Sequence, residues 1–156
     1  MSREGQVATL LLADATLEGI LTGGIYQNGL IGIEGIRRGA DSPTADAFDD
    51  STGFLLPCAV VKDTALVPFG TLRDLAEKIA GASQRVEIYF YEDRGQTAIY
   101  AARDRIFSLL EGERFSDTFK IRWIEDRGPF LDVGPVSGAT TLRTDYQIIS
   151  VRDGSA

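Results

Sequence analysis

The sequence predicts an α+β domain, a mainly antiparallel sheet with helices packed on one face plus an extended β-ribbon and loop. Three observations lead there. In Arg85-Val86-Glu87-Ile88-Tyr89-Phe90-Tyr91 the apolar Val86, Ile88 and Phe90 recur at every second position, the repeat of a strand. From Thr97 to Leu110 the residues Ile99, Ala102, Ile106, Leu109 and Leu110 fall on one helical stripe. The elements follow in the order α, β-ribbon, β, α, β, α, β, β, and no repeat, linker or low-complexity segment divides them. Residues 1–156 are therefore expected to form one domain.

Val7, Leu10, Leu11, Leu17, Ile20 and Leu21 have the spacing of one helix face, so a helix, or two short ones broken near Asp14, is expected from about residue 4 to 21. Gly23-Gly24 closes it, and Ile25-Tyr26 begins extended structure. In Leu30-Ile31-Gly32-Ile33-Glu34-Gly35-Ile36-Arg37-Arg38, glycine alternates with isoleucine, which predicts a hairpin or edge ribbon with Asn28-Gly29 as its turn. Asp41 to Gly53 has the small and acidic composition of a mobile, solvated loop. The ribbon and loop together cover about residues 27–53. Phe54 to Lys62 reads as a buried strand whose Pro57 marks an unpaired end or edge. Thr71 to Gly81 pairs a Thr cap and an acid with apolar positions 72, 75, 76 and 79, a short helix. After the strand at 85–91, Thr97 caps the second strong helix and Gly112 follows it. Phe119 to Ile124 and Leu142 to Val151 are two further strands, joined by a Gly/Pro loop from Arg127 to Thr141.

Composition restricts the chemistry. The 156 residues include sixteen Lys+Arg against twenty-three Asp+Glu and no histidine. The missing histidine removes the commonest general base, the commonest neutral metal ligand and every Ser-His or Cys-His pair. The single cysteine, Cys58, excludes an intrachain disulfide and sits among Leu55, Leu56, Ala59, Val60 and Val61, the setting of a buried small hydrophobe. The apolar stretch from Val7 to Ala13 is too short for a membrane span and no cleavage site follows it, so neither export signal nor membrane anchor is expected. Residues 1 to 84 hold eleven acids and six bases, so most of the net charge of −7 lies in that half. Such a balance gains nothing from general attraction to phosphate, which argues against a duplex-DNA binder.

Candidate chemistry is sparse. Glu92-Asp93-Arg94-Gly95 and Glu125-Asp126-Arg127-Gly128 are echoing acid pairs at strand ends, and together they could hold a hard cation in a divalent-metal hydrolase. The same residues also suit strand-ending turns. The lysines, Lys62, Lys78 and Lys120, sit beside neither pair. Asp41 to Asp50 lacks the ligand spacing of a calcium loop. The glycine run contains no Gly-x-Gly-x-x-Gly and no following Gly-Lys-Ser/Thr, so a phosphate cradle has no support. Tyr89, Tyr91, Tyr100 and Phe107 could stack single-stranded bases, or be ordinary packing. Ser137-Gly138-Ala139 offers a nucleophile without a base. No catalytic residue, metal ligand or cofactor is assigned. A ribbon open to strand addition also leaves room for a small intracellular peptide-binding module.

Leu12-Ala13-Asp14-Ala15-Thr16-Leu17, followed by Leu21-Thr22-Gly23-Gly24-Ile25-Tyr26, resembles the opening of tail-completion proteins, the tail-terminator or neck family, of long-tailed bacteriophages and prophages. Leu56-Pro57-Cys58-Ala59-Val60-Val61 looks like the family's Pro-led second strand. Arg85 to Glu92, then Thr97 to Leu110 and Gly112, are similar to its strand followed by a helix, and Leu142 to Val151 matches its terminal strand in kind. The helix expected at Thr71 to Ala80 and the long acidic loop depart from the usual form.

The resemblance implies an α+β subunit that forms a ring, often a hexamer, at the head-proximal end of the phage tail. Such a ring caps the tube of major tail protein, receives the head-completion or connector proteins, and lets genomic DNA pass without binding it specifically. The location it implies is the virion, with assembly in the host cytoplasm. Within that frame Ile33, Ile36, Arg37 and Arg38 of the ribbon are the expected subunit interface. Asp46, Asp49 and Asp50 are the expected lumen or partner-facing loop. A plain surface turn is the competing reading of each. The acidic balance suits a conduit, because like charge on its wall keeps DNA from sticking.

Overall fold

The computed structural model describes residues 2–68, 79–93, 95–132 and 138–153. The Ser2 hydroxyl accepts the Gly5 N–H at 3.1 Å and starts α1 (Arg3–Leu12). The break expected near Asp14 is a second cap: its carboxylate accepts the Leu17 N–H at 2.9 Å and starts α2 (Ala15–Ile20). Next come β1 (Ile25–Gln27), α3 (Asn28–Ile31) and a single 3-10 turn (Ala45–Ala47). They are followed by β2 (Cys58–Asp63), β3 (Val67–Pro68) and β4 (Ile79–Glu92). Last are α4 (Thr97–Leu110), β5 (Arg122–Leu131) and β6 (Thr140–Asp153).

The strands form one sheet in the order β1-β2-β4-β6-β5, with β3 pairing with β4. Every pairing is antiparallel except β1 with β2, which is parallel. The chain is thus a mainly antiparallel α+β fold, as the periodicities predict. β4 and β6 are the central strands, matched over fourteen residue pairs from Ile79↔Asp153 to Glu92↔Thr140.

Phe90↔Leu142 and Val86↔Tyr146 are cross-strand pairs, so these side chains share a face with Ile88 and Ile148. That face packs against Val7, Ala8 and Leu11 of α1, Leu17 of α2, and Ile99, Ala102, Ile106 and Leu110 of α4. The α4 stripe is the one the sequence predicts, and burying each large aliphatic contributes roughly 1.5–3 kcal/mol. The helix is not opened by a side chain of its own first turn: the Glu92 carboxylate at the end of β4 accepts the Ile99 N–H at 3.2 Å. One acid of the echoing pairs is therefore a helix cap.

The opposite face is covered at one end by residues 28–57. Their Ile31, Ile36, Ala47 and Leu55 pack on Cys58 and Val60 of β2. Burial pushes the Cys58 thiol up to about 12, so it is an inert core group, as its apolar neighbours predict.

Three local expectations are corrected. The ribbon over Leu30 to Arg38 is not a hairpin: Asn28–Ile31 is helical and no strand occurs between β1 and β2. Glu4 of α1 is the cause. Its Oε1 accepts the Gly29 N–H at 2.7 Å, capping α3 from another helix, and a Cβ at Gly29 would lie 2.5 Å from that oxygen. The segment 41–53 is knit by its own hydrogen bonds rather than loosely solvated, with Asp49 N–H bonded to Phe54 C=O at 2.8 Å and a bridge between Phe48 and Leu55. The Arg127 to Thr141 connection is partly strand, since β5 runs through Pro129 to Leu131 and Phe130 pairs with Thr141. The helix expected at Thr71 to Gly81 lies outside the described residues as far as Lys78, and its last three residues begin β4.

Candidate functional site

The two acid pairs do not converge. β4 and β5 flank β6 on opposite sides, and Glu92 aligns with Thr140 whereas Glu125 aligns with Asp145, five residues further along β6. At roughly 3.3 Å per residue that is about 17 Å along the strand alone. Each acid is also engaged separately. Glu92 caps α4, and Asp93 accepts the Leu55 N–H at 2.9 Å, tying the strand end to the 28–57 lobe. Glu125 pairs with Arg127 at 2.9 Å, and Asp126 accepts from Trp123 and Thr144. Among the described residues no group of three or more potential ligands is placed to hold a metal. The four aromatics proposed as a stacking platform are likewise divided: Tyr89 and Tyr91 pack with the lobe, Tyr100 with the helix-side core. Ser137 lies outside the described residues.

The sheet face beyond the lobe carries an ordered row of charge. Arg143 of β6 holds the buried Asp145 with two bonds of 2.8 and 2.7 Å and lies 3.9 Å from Glu87 of β4. Arg85 reaches Asp145 at 3.3 Å and Glu125 of β5 at 3.6 Å. Three arginines, counting Arg127, face three acids, so the row is neutral and ties β4, β6 and β5 together across the sheet. This is a cross-strand structural network with no open acid or base.

Two surfaces remain that internal packing does not explain. The first is at the tip of the lobe. The Gly35 N–H bonds to the Gly32 C=O at 3.1 Å, closing a turn whose flanking glycines have φ of 82° and 63°. Those left-handed angles suit glycine, and they leave Ile33 projecting with 104% of its reference exposure. Leu30, two residues before the turn, is 74% exposed. Ile36 is instead buried at 3%, in the lobe's own core, so it cannot contact a neighbour. Arg37 pairs with Glu34, and Arg38 donates to the Gly53 C=O and lies 4.5 Å over the Phe48 ring. Of the expected interface set, Ile33 is open, Arg37 and Arg38 brace the lobe, and Ile36 is core. In the acidic loop Asp46 and Asp50 are exposed, while the Asp49 carboxylate accepts from the Ser51 hydroxyl at 2.7 Å and the Ser51 N–H at 2.8 Å. Those bonds hold its pKa below the ordinary value.

The second surface lies between α4 and β5. Phe107 and Trp123 meet edge to face, with ring centroids 6.4 Å apart and planes at 82°, yet they stay 45% and 44% exposed. They border a cavity of about 310 Å³ whose walls also include Arg103, Asp104, Asp126, Thr144 and Tyr146. The Trp123 indole N–H and the Thr144 hydroxyl both donate to Asp126, at 3.0 and 2.6 Å. Arg103 is 3.1 Å from Asp104 and 3.7 Å from Asp126. The Tyr146 hydroxyl is buried at the floor, close to Thr144. Sequence reasoning missed this site. Its one signal was Phe107, which stands outside the α4 stripe of Ile99, Ala102, Ile106, Leu109 and Leu110 and so had to face something other than the core.

No family model and no curated protein matches the chain. Among solved structures, it is similar to a chain of one described as "Virion of native gene transfer agent (GTA) particle", with a TM-score of 0.58 and 14% identity. The match covers 98% of this chain and 96% of that one, so the likeness is of the whole fold.

Proposed function

We propose that the protein is a structural subunit of a phage-like virion, a tail terminator or neck protein that forms a ring, often a hexamer in such proteins, at the head-proximal end of the tail. The observation that carries the reading is the shared fold with a chain of a gene transfer agent virion over nearly the full length of both. The resemblance of the helix-to-strand opening at Leu12 to Tyr26 to tail-completion proteins supports it independently. In this role the ring caps the tube of major tail protein, receives the head-completion or connector proteins and lets DNA through. The exposed Asp46 and Asp50 are suited to a lumen or partner-facing position. The dispersal of Glu92, Asp93, Glu125 and Asp126 among separate structural bonds leaves the hydrolase alternative without a constellation.

The test is to mix the purified protein with tubes assembled from the cognate major tail protein and image them by negative stain, with mass photometry of the protein alone. The expected result is a ring at one end of each tube, and any free assembly having a mass near six chains. Bare tube ends together with a monomer at every concentration would overturn the reading.

A further inference from the structure

We infer that the Gly32–Gly35 turn of one copy, with Ile33 at its tip, seats in the Phe107–Trp123 cavity of the next copy and forms the repeating contact of the assembly. The inference rests on the ring reading above and names the surfaces that build it.

The two surfaces are complementary in shape and chemistry. One is convex, an aliphatic side chain fully exposed on a tight turn. The other is concave and walled by two half-exposed aromatic rings. At about 310 Å³ the cavity has room for a branched aliphatic side chain and the backbone that carries it.

Placement decides the kind of assembly. The turn belongs to the lobe packed on β1 and β2, the first strands of the sheet order, on the face of Cys58 and Val60. The cavity lies beside β5, the last strand, and is bordered by α4 on the opposite face. Tip and cavity are different patches on opposite faces of one sheet. A contact between them is head to tail, and repeated head-to-tail contacts close into a ring or continue as a filament, whereas a self-complementary patch stops at a dimer.

The test uses the full chain, whose native Cys58 is buried. The variant Ile33→Cys/Phe107→Cys, treated with a short thiol cross-linker under conditions in which the wild type assembles, should give a ladder of covalent multimers. The control Ile33→Cys/Leu12→Cys, which pairs the tip with another exposed residue, should not. Trp123 is the single tryptophan, so its emission should shift to the blue when the wild type assembles and stay unshifted in folded Ile33→Asp. A covalent product that stops at dimer, no product above the control, or emission indifferent to assembly overturns the contact. If the wild type still forms rings in that case, the ring reading survives it. If the wild type forms no assembly alone or on tail tubes, both fall together.

Discussion

Ile33 and Ile36 look alike in the sequence, each an isoleucine following a glycine, and the structure gives them opposite environments. Ile33 is wholly exposed on the turn, while Ile36 is packed with Ile31, Ala47, Leu55 and Val60. The sequence pattern cannot separate them, because Gly-Ile alternation states only that two side chains differ from their neighbours, not which of them finds a core. Substitution should separate them cleanly. Ile33→Asp is expected to change stability by no more than about 0.5 kcal/mol, the usual range for an exposed site. Ile36→Asp buries a carboxylate with no prepared partner and should cost about 3 kcal/mol or more. Urea unfolding monitored by circular dichroism reads both, and equal losses would mean that the turn packs against the molecule. The same reasoning bears on the two surfaces: Ile33 is expected to face outward and is exposed, whereas Trp123 and Tyr146 sit on strands whose period suits core positions. Only folding sets Tyr146 under Trp123 and Arg103.

At the scale of elements, the parts legible in advance are those whose hydrophobic period is answered by a regular partner: the α4 stripe, the Val86-Ile88-Phe90 face and the strand at Leu142 to Val151. The parts misread are those fixed by contacts distant in sequence. Asn28–Ile31 is a helix because Glu4, twenty-five residues earlier, bonds the Gly29 N–H, and the end of β4 is tied to the lobe by Asp93. Asp14 lies between these cases. Its role as a helix breaker was readable, but its bidentate bond to Arg105 of α4, at 2.9 and 2.6 Å, was not. That bond, more than the Leu17 N–H, holds the Asp14 carboxyl at about 2. Because the folded value lies below the unfolded one of about 3.9, the associated stability is complete above about pH 4 and is lost as pH falls toward 2. Arg105→Ala should raise the Asp14 value toward 3.9 and flatten the pH dependence of stability in that window. Carboxyl-detected NMR titration of both proteins checks this, and an ordinary Asp14 value in the wild type would contradict the docking of α2 on α4 through this pair.

For the whole molecule, the uneven charge and the fold have to be considered together. The row of Arg85, Arg127 and Arg143 against Glu87, Glu125 and Asp145 cancels within the sheet, so the net −7 is carried elsewhere, and the 1–84 half has eleven acids to six bases. Several of those acids are consumed internally: Glu4 caps α3, Asp14 pairs with Arg105, and Asp49 closes its own turn. Asp46 and Asp50 remain exposed in the acidic loop of the lobe. The basic side chains are largely engaged in turn, Arg3 with Asp117, Arg37 with Glu34, and Arg103 and Arg105 with acids on neighbouring elements. Among the described residues no row of free cations offers itself along which phosphates could displace counterions, and counterion release supplies most non-specific DNA affinity. Duplex DNA should therefore show no measurable retention by the protein, alone or assembled, at about 0.1 M salt, where the Debye length is about 10 Å and a basic patch would still act. Electrophoretic mobility shift with linear duplex is the direct measurement. The informative contrast is a variant in which Asp46, Asp49 and Asp50 are all replaced by lysine, a change of six charges from three acids to three bases. If that loop lines the passage, the variant should retain DNA when assembled on tail tubes. Retention by the wild type would instead remove like-charge repulsion from the explanation of how a genome could pass through an acidic ring.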